Sequence, residues 1–306
     1  MTLVRKGFIQ NQALQVLNQK KYALVLVTLL AALPYMDWLA LTLVGLVTLH
    51  HGMKAGSEVL WPVLLMRVLI SIFSLSWPMA VAASVLHVLP SYLMACVLKQ
   101  TVNWRFVSMA MLALLLITAV ILQVFLPDFA LQQYVHLEAL LQQVMSNQAH
   151  TINLWHNQQV STQVLAHYFL GIQGASLAFS AVVPLLFARA LQSQLFYPGG
   201  FRQEMTTFRG AKIDFVVLLL LLALGYSEYA LAMNCLPFVI LCFVFSGLSL
   251  GAYIFSNMRP MALMLLLIAP MIFLSWVFLP LYALLGALDS LFNFRLYLSE
   301  KTEKVT

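Results

Sequence analysis

Ionisable side chains are scarce in this chain, so each one inside an apolar run stands out. Arg67 and His87 lie near the middle of two runs of membrane-spanning length, and Gln173 lies within a third. Glu228 follows in a fourth, beside Tyr226, Ser227 and Tyr229. A charge at membrane depth is costly unless it is paired or hydrated, so such residues mark functional positions by default. The four are therefore candidates to line an outward-facing ligand pocket, with Arg67 and Glu228 as its charges. The plainer alternative is an internal polar latch that only fixes helix packing.

A second constellation is the loop "LFYPGGFRQEMTTFRG", residues 195–210. Gly199 and Gly200 follow a proline and allow the positive φ of a tight turn. Arg202 and Arg209 are seven apart and share a face on a helix, with Glu204 available to bond either. Such a basic helix suits lipid phosphates or a docking partner. The closing stretch "LYALLGALDSLFNFRLYLSEK" carries Asp289 and Arg295 at the end of an apolar run. Six residues apart on one helix they point to different faces, so they are not expected to pair. Asp289 is expected instead to be held by Arg202 or Arg209, tying the closing stretch to the Pro-Gly-Gly loop.

Other patterns point away from catalysis and cofactors. Gly247-Leu-Ser249-Leu-Gly251 matches the G-x-S-x-G of serine hydrolases, but that motif needs a strained strand-to-helix turn. Inside an apolar run the same residues read as a small-residue groove for close helix packing. His136, His150, His156 and His167 have no compact metal-ligand spacing, and H-E-x-x-H is absent. Cys96, Cys235 and Cys242 lie in or beside apolar runs without CxxC spacing and read as small hydrophobes. No G-x-x-x-x-G-K-[ST] occurs. No catalytic residue, metal or cofactor is expected.

The elements that must position these residues follow from composition. Of 306 residues, 62% are hydrophobic and only 8% charged. A soluble chain needs about a quarter charged to cover its surface, so most of this surface must meet lipid. The fold class is all-α, a polytopic transmembrane bundle. The net charge of +6 reflects lysines and arginines of cytoplasmic loops, not a nucleic-acid partner.

Six full spans are read at 58–76, 79–98, 104–126, 163–189, 213–232 and 235–256, each near the roughly 20 residues a ~30 Å core requires. Two more stretches are broken by proline: 22–50 at Pro34–Asp37, and 260–297 at Pro270 and Pro280. Segment 127–162 has no lysine or arginine and is placed outside. Residues 190–212, with Arg202, Arg209 and Lys212, are placed inside. Both basic termini then lie inside only if each Pro-broken stretch is a hairpin, giving 8–10 membrane helices. The expected organisation is a cytoplasmic tail 1–21, a single transmembrane domain 22–297 and a cytoplasmic tail 298–306. Asp128 is expected to cap an outer amphipathic helix with Tyr134, Leu137, Leu141 and Val144 as its apolar stripe.

"LFYPGGFRQEMTTFR" and "LDSLFNFR" resemble signature stretches of a gammaproteobacterial inner-membrane protein family of unknown function, itself similar to the YybS family. YybS-like proteins in turn resemble the substrate-capturing S components of energy-coupling-factor transporters. The resemblance implies a bacterial inner-membrane protein that binds a small solute between its helices and works with a membrane or cytoplasmic partner subunit. The rival expectation is a non-transporting scaffold or assembly factor that docks a cytoplasmic partner through loop 197–212. The solute itself is unknown.

Overall fold

The computed structural model describes residues 8–145, 161–256 and 258–296. Arg5, Lys6, His150, His156, Lys301 and Lys304 lie outside these residues, as does the side chain of Val144. Every regular element among the described residues is a helix. Six helices are long and apolar enough to cross a membrane: Met53–Ile72, Trp77–Thr101, Trp104–Phe125, Thr162–Phe196, Ala230–Ile254 and Ser275–Phe292. The protein is a multi-pass, all-helical membrane protein.

It packs as two compact units, one formed by residues 1–111 with 177–208 and the other by 112–176 with 209–306. In the first unit, α1 (Phe8–Asn18) and α2 (Lys20–Ala32) lead into α3 (Asp37–His51). The tail preceding the first apolar run thus contains a helix. Ala13, Val16 and Leu17 of α1 are buried, and His51 Nε2 meets the Leu17 carbonyl at 2.8 Å. Helices α2 and α3 have 13 and 15 residues, about 20 and 22 Å at 1.5 Å per residue. Both fall short of a ~30 Å core. The Pro-broken stretch is a short hairpin, and its tip turns at Leu33–Met36.

Gly52, at φ 98°, reverses the chain into α4 (Met53–Ile72). A tight turn leads to α5 (Trp77–Thr101), where Pro78 sits in the first turn and needs no N–H partner. Lys99 closes the other end of the hairpin. Its Nζ donates to the Leu49 carbonyl at 2.7 Å and to that of His50 at 3.3 Å, the negative end of α3. The unit is completed by the start of α6 (Trp104–Phe125), the second half of α8 (Thr162–Phe196) and the short α9 (Gly200–Thr207).

The second unit contains α7 (Phe129–Met145), α10 (Lys212–Tyr226), α11 (Ala230–Ile254), α12 (Pro260–Phe273) and α13 (Ser275–Phe292), with the remaining parts of α6 and α8. On α7, Tyr134 stacks edge-on against Phe169 at 6.3 Å. Leu141, expected on the same stripe, is exposed. The span expected at 213–232 is shorter in the structure. Helix α10 stops at Tyr226, and Glu228 takes a left-handed φ of 59° in the turn to α11. The second Pro-broken stretch breaks at Leu274, not at its prolines. Pro270 lies within α12 and Pro280 within α13.

Helices α11 and α13 run parallel and cross at two glycines. A Cβ on Gly247 would fall 2.1 Å from the Tyr282 carbonyl oxygen, and one on Gly286 would fall 2.1 Å from that of Phe243. Only glycine permits that approach. Phe243, Val239 and Ala287 form the core beside this crossing, with Leu112, Phe215 and Leu218 packed on it. Helix α12 returns alongside, where Tyr282 donates its hydroxyl to the Leu267 carbonyl at 3.0 Å. The packing groove read at Gly247 and Gly251 thus has its tight position at Gly247. Gly251 faces only the flexible end of Leu267.

Candidate functional site

Asp37 and Arg67 are each fifteen residues from Gly52, the turn between α3 and α4. In an antiparallel pair that symmetry brings them to one height. Arg67 Nη1 lies 2.8 Å from Asp37 Oδ2. From α5, His87 Nε2 approaches the same oxygen at 2.9 Å. The imidazole is close enough for an ion pair when protonated, but its Nε2 lies off the line a hydrogen bond needs and has no other partner. Asp37 also heads α3, where the positive end of the helix dipole favours a carboxylate.

Two cationic groups from two helices therefore share one carboxylate oxygen of a third, Asp37, at the tip of a short hairpin. With His87 neutral, Asp37 and Arg67 cancel; a proton on His87 leaves one net positive charge. The three side chains are 18–33% exposed. Leu33, Tyr35, Met36 and Trp38 around the tip are exposed apolar residues, suited to an aromatic belt at a lipid interface.

Of the four residues expected to line one pocket, Arg67 and His87 meet, with Asp37 between them. Gln173 and Glu228 belong to the second unit. Glu228 is exposed in the α10–α11 turn instead of sitting inside a helix. Asp37, which the sequence offers only as part of a helix break, is the residue that organises the centre. Its signal was the equal spacing of Asp37 and Arg67 about Gly52.

The Pro-Gly-Gly loop is held by partners that sequence reasoning did not supply. Gly199 takes φ 91° and caps α9, which begins at Gly200. Arg189 of α8 grips the Glu204 carboxylate through two nitrogens, its Nη2 included, with Nε at 3.0 and 3.1 Å from the two oxygens. Trp104 Nε1 donates to the same carboxylate at 3.1 Å. Arg189 also donates to Gln192 Oε1 at 2.7 Å, and Gln192 in turn donates to the Leu49 carbonyl at 3.3 Å. The only advance sign was an arginine at the end of an apolar run.

The expected pairing of Asp289 with Arg202 or Arg209 is not what the structure shows. Asp289, fully buried, bonds Arg295 Nε at 3.2 Å through Oδ2 and the Phe294 N–H at 3.1 Å through Oδ1. Helix α13 ends at Phe292 and Asn293 turns left-handed at φ 50°, so the helical rule that separated the two does not apply. Arg209 does reach the last helix, but through the Ser290 carbonyl at 3.1 Å. Arg295 Nη2 also donates to Ser249 Oγ at 3.1 Å, and its guanidinium lies over the Tyr253 ring at 5.7 Å. Ser249 is thus engaged by a cation.

Among the described residues no three His, Cys, Asp or Glu side chains gather as a metal site. Fold and site together define the class, a multi-pass helical membrane protein with a charged centre at a hairpin tip. Comparison with family models, curated proteins and solved structures finds no match to this chain.

Proposed function

We propose that this chain is a solute-binding component of membrane transport, with Asp37, Arg67 and His87 as the centre that meets the solute. The observation that carries the reading is the shared Asp37 oxygen, contacted by Arg67 at 2.8 Å and by His87 at 2.9 Å. Ionisable residues at membrane depth mark substrate paths and proton relays. A carboxylate and an imidazole within 3 Å can exchange a proton as a solute arrives. The resemblance of the Pro-Gly-Gly and closing motifs to YybS-like proteins, and through them to S components, supports a solute as the cargo.

In this reading the chain sits in a bacterial inner membrane with both termini and residues 190–212 cytoplasmic, and 127–162 outside. A second reading, a scaffold that docks a cytoplasmic partner, draws on the Arg189–Glu204–Trp104 network. That network holds α9 in place while Arg202 stays exposed. Native mass spectrometry of the purified protein separates the two. A retained small molecule supports the solute reading; a retained protein subunit with no small molecule supports the scaffold.

A further inference from the structure

Resting on the reading of Asp37, Arg67 and His87 as a solute-binding centre, we infer that the solute is a monocarboxylate. The free edge of Arg67 holds it, and one proton on His87 accompanies it. The centre is short of acceptors, not of donors. Arg67 has five N–H donors, yet its one partner among the described residues is Asp37 Oδ2, met by Nη1. Nε and Nη2, the parallel edge of the guanidinium, are left without an acceptor, and neither is buried.

The charge balance points the same way. One carboxylate faces two basic side chains, so the centre is neutral with His87 unprotonated and singly positive once it is protonated. It never carries the net negative charge that would draw a cation. One monoanion restores neutrality to the protonated centre. A carboxylate also matches the two parallel N–H groups of a guanidinium edge, a geometry that amines and alcohols lack.

The proton follows from proximity. Arg67 Nη1 and His87 Nε2 contact one oxygen and so lie within about 6 Å of each other. An anion on Arg67 therefore stands near the imidazole, and a nearby negative charge favours the imidazolium. The charged groups that face His87 are Asp37 of α3 and Arg67 of α4. Lys99, farther along its own helix, turns to the Leu49 and His50 carbonyls instead. Linkage is reciprocal: an anion that brings a proton onto His87 is bound more tightly once that proton is present. The only transfer is of one proton from water to the imidazole, and no bond to the solute forms or breaks.

The test is the thermal midpoint of the purified intact protein in detergent at constant sodium and ionic strength. Acetate, butyrate and benzoate are titrated at about pH 5.5 and about pH 8, on either side of the ordinary histidine range, each against its neutral amide. Short-chain phosphatidylglycerol is a further arm, because a lipid phosphate also suits the guanidinium edge. A saturable rise is expected with at least one carboxylate and with no amide. Its half-saturating concentration is expected to be about tenfold lower at the acid pH. Arg67→Gln should abolish the rise. His87→Gln should show the weaker, alkaline half-saturation at both pH values, and it decides the matter should the Arg67 variant fail to fold. Equal response to acid and amide, a rise with the lipid alone, or one half-saturation at both pH values would overturn the inference. No rise with any probe overturns it as well. The solute-binding reading is judged separately, by whether extraction of the same sample releases a bound compound.

Discussion

Asp289 and Arg295 form a buried ion pair at 3.2 Å although six residues separate them, because α13 ends between them. Removing one partner strands the other in a setting where its side chain is 11% or less exposed. Asp289→Ala is therefore expected to cost roughly 3–5 kcal/mol, read as a lower unfolding midpoint in detergent. The double variant Asp289→Leu with Arg295→Met should recover most of that loss, since it leaves no lone charge. Ser249→Ala, which removes an acceptor of the Arg295 guanidinium, should cost about 1.5–3 kcal/mol.

The glycine crossing makes an ordered prediction. Gly247→Ala and Gly286→Ala press a Cβ onto backbone carbonyls at 2.1 Å, which cannot move aside. Gly251→Ala meets only the tip of Leu267 at 2.8 Å. Overpacking of the first kind costs roughly 1–3 kcal/mol or more. Folded yield and thermal midpoint should fall for Gly247 and Gly286, with Gly251 clearly milder.

The bundle, its lipid-facing surface and its two hairpins were legible in the sequence because length and apolarity are local properties. Proline misled where it was read as a break, since Pro270 and Pro280 are absorbed within helices while Leu274 makes the turn. Left-handed residues escaped the reading for another reason. The type of Glu228 does not announce its φ of 59°, whereas Asn293, at φ 50°, is of a type that favours the left-handed region at helix ends; these residues end α10 and re-aim Arg295. Long-range partners were the least legible. Glu204 draws on Trp104, a hundred residues away, and no spacing rule connects them.

That network gives a third prediction. Glu204→Gln leaves Arg189 without its carboxylate and should cost about 1.5–3 kcal/mol, the range for hydrogen bonds to charged groups. Arg189→Gln should cost a similar amount, and the double variant less than the sum of the two. Limited trypsin digestion should cut at the exposed Arg202 sooner in either single variant than in the parent protein.

The sidedness of the chain can be read by labelling a cysteine-free background in which Cys96, Cys235 and Cys242 are replaced. Glu228→Cys and Gln203→Cys place single thiols in exposed positions. The proposed topology predicts that an impermeant maleimide reaches Glu228→Cys in intact cells and Gln203→Cys only after lysis. Equal labelling of both in intact cells would refute the inside placement of the Pro-Gly-Gly loop.

The most direct test of the Asp37 centre compares two quantities in the same purified samples: the small molecule retained, and the thermal midpoint. Parent protein, Arg67→Gln and His87→Gln are extracted, and any released compound is identified by mass spectrometry. A solute-binding centre predicts a compound retained by the parent and lost from both variants, while His87→Gln keeps its midpoint within a few degrees. No compound in the parent, together with midpoints that collapse in both variants, would make Asp37, Arg67 and His87 a structural clasp and contradict the account.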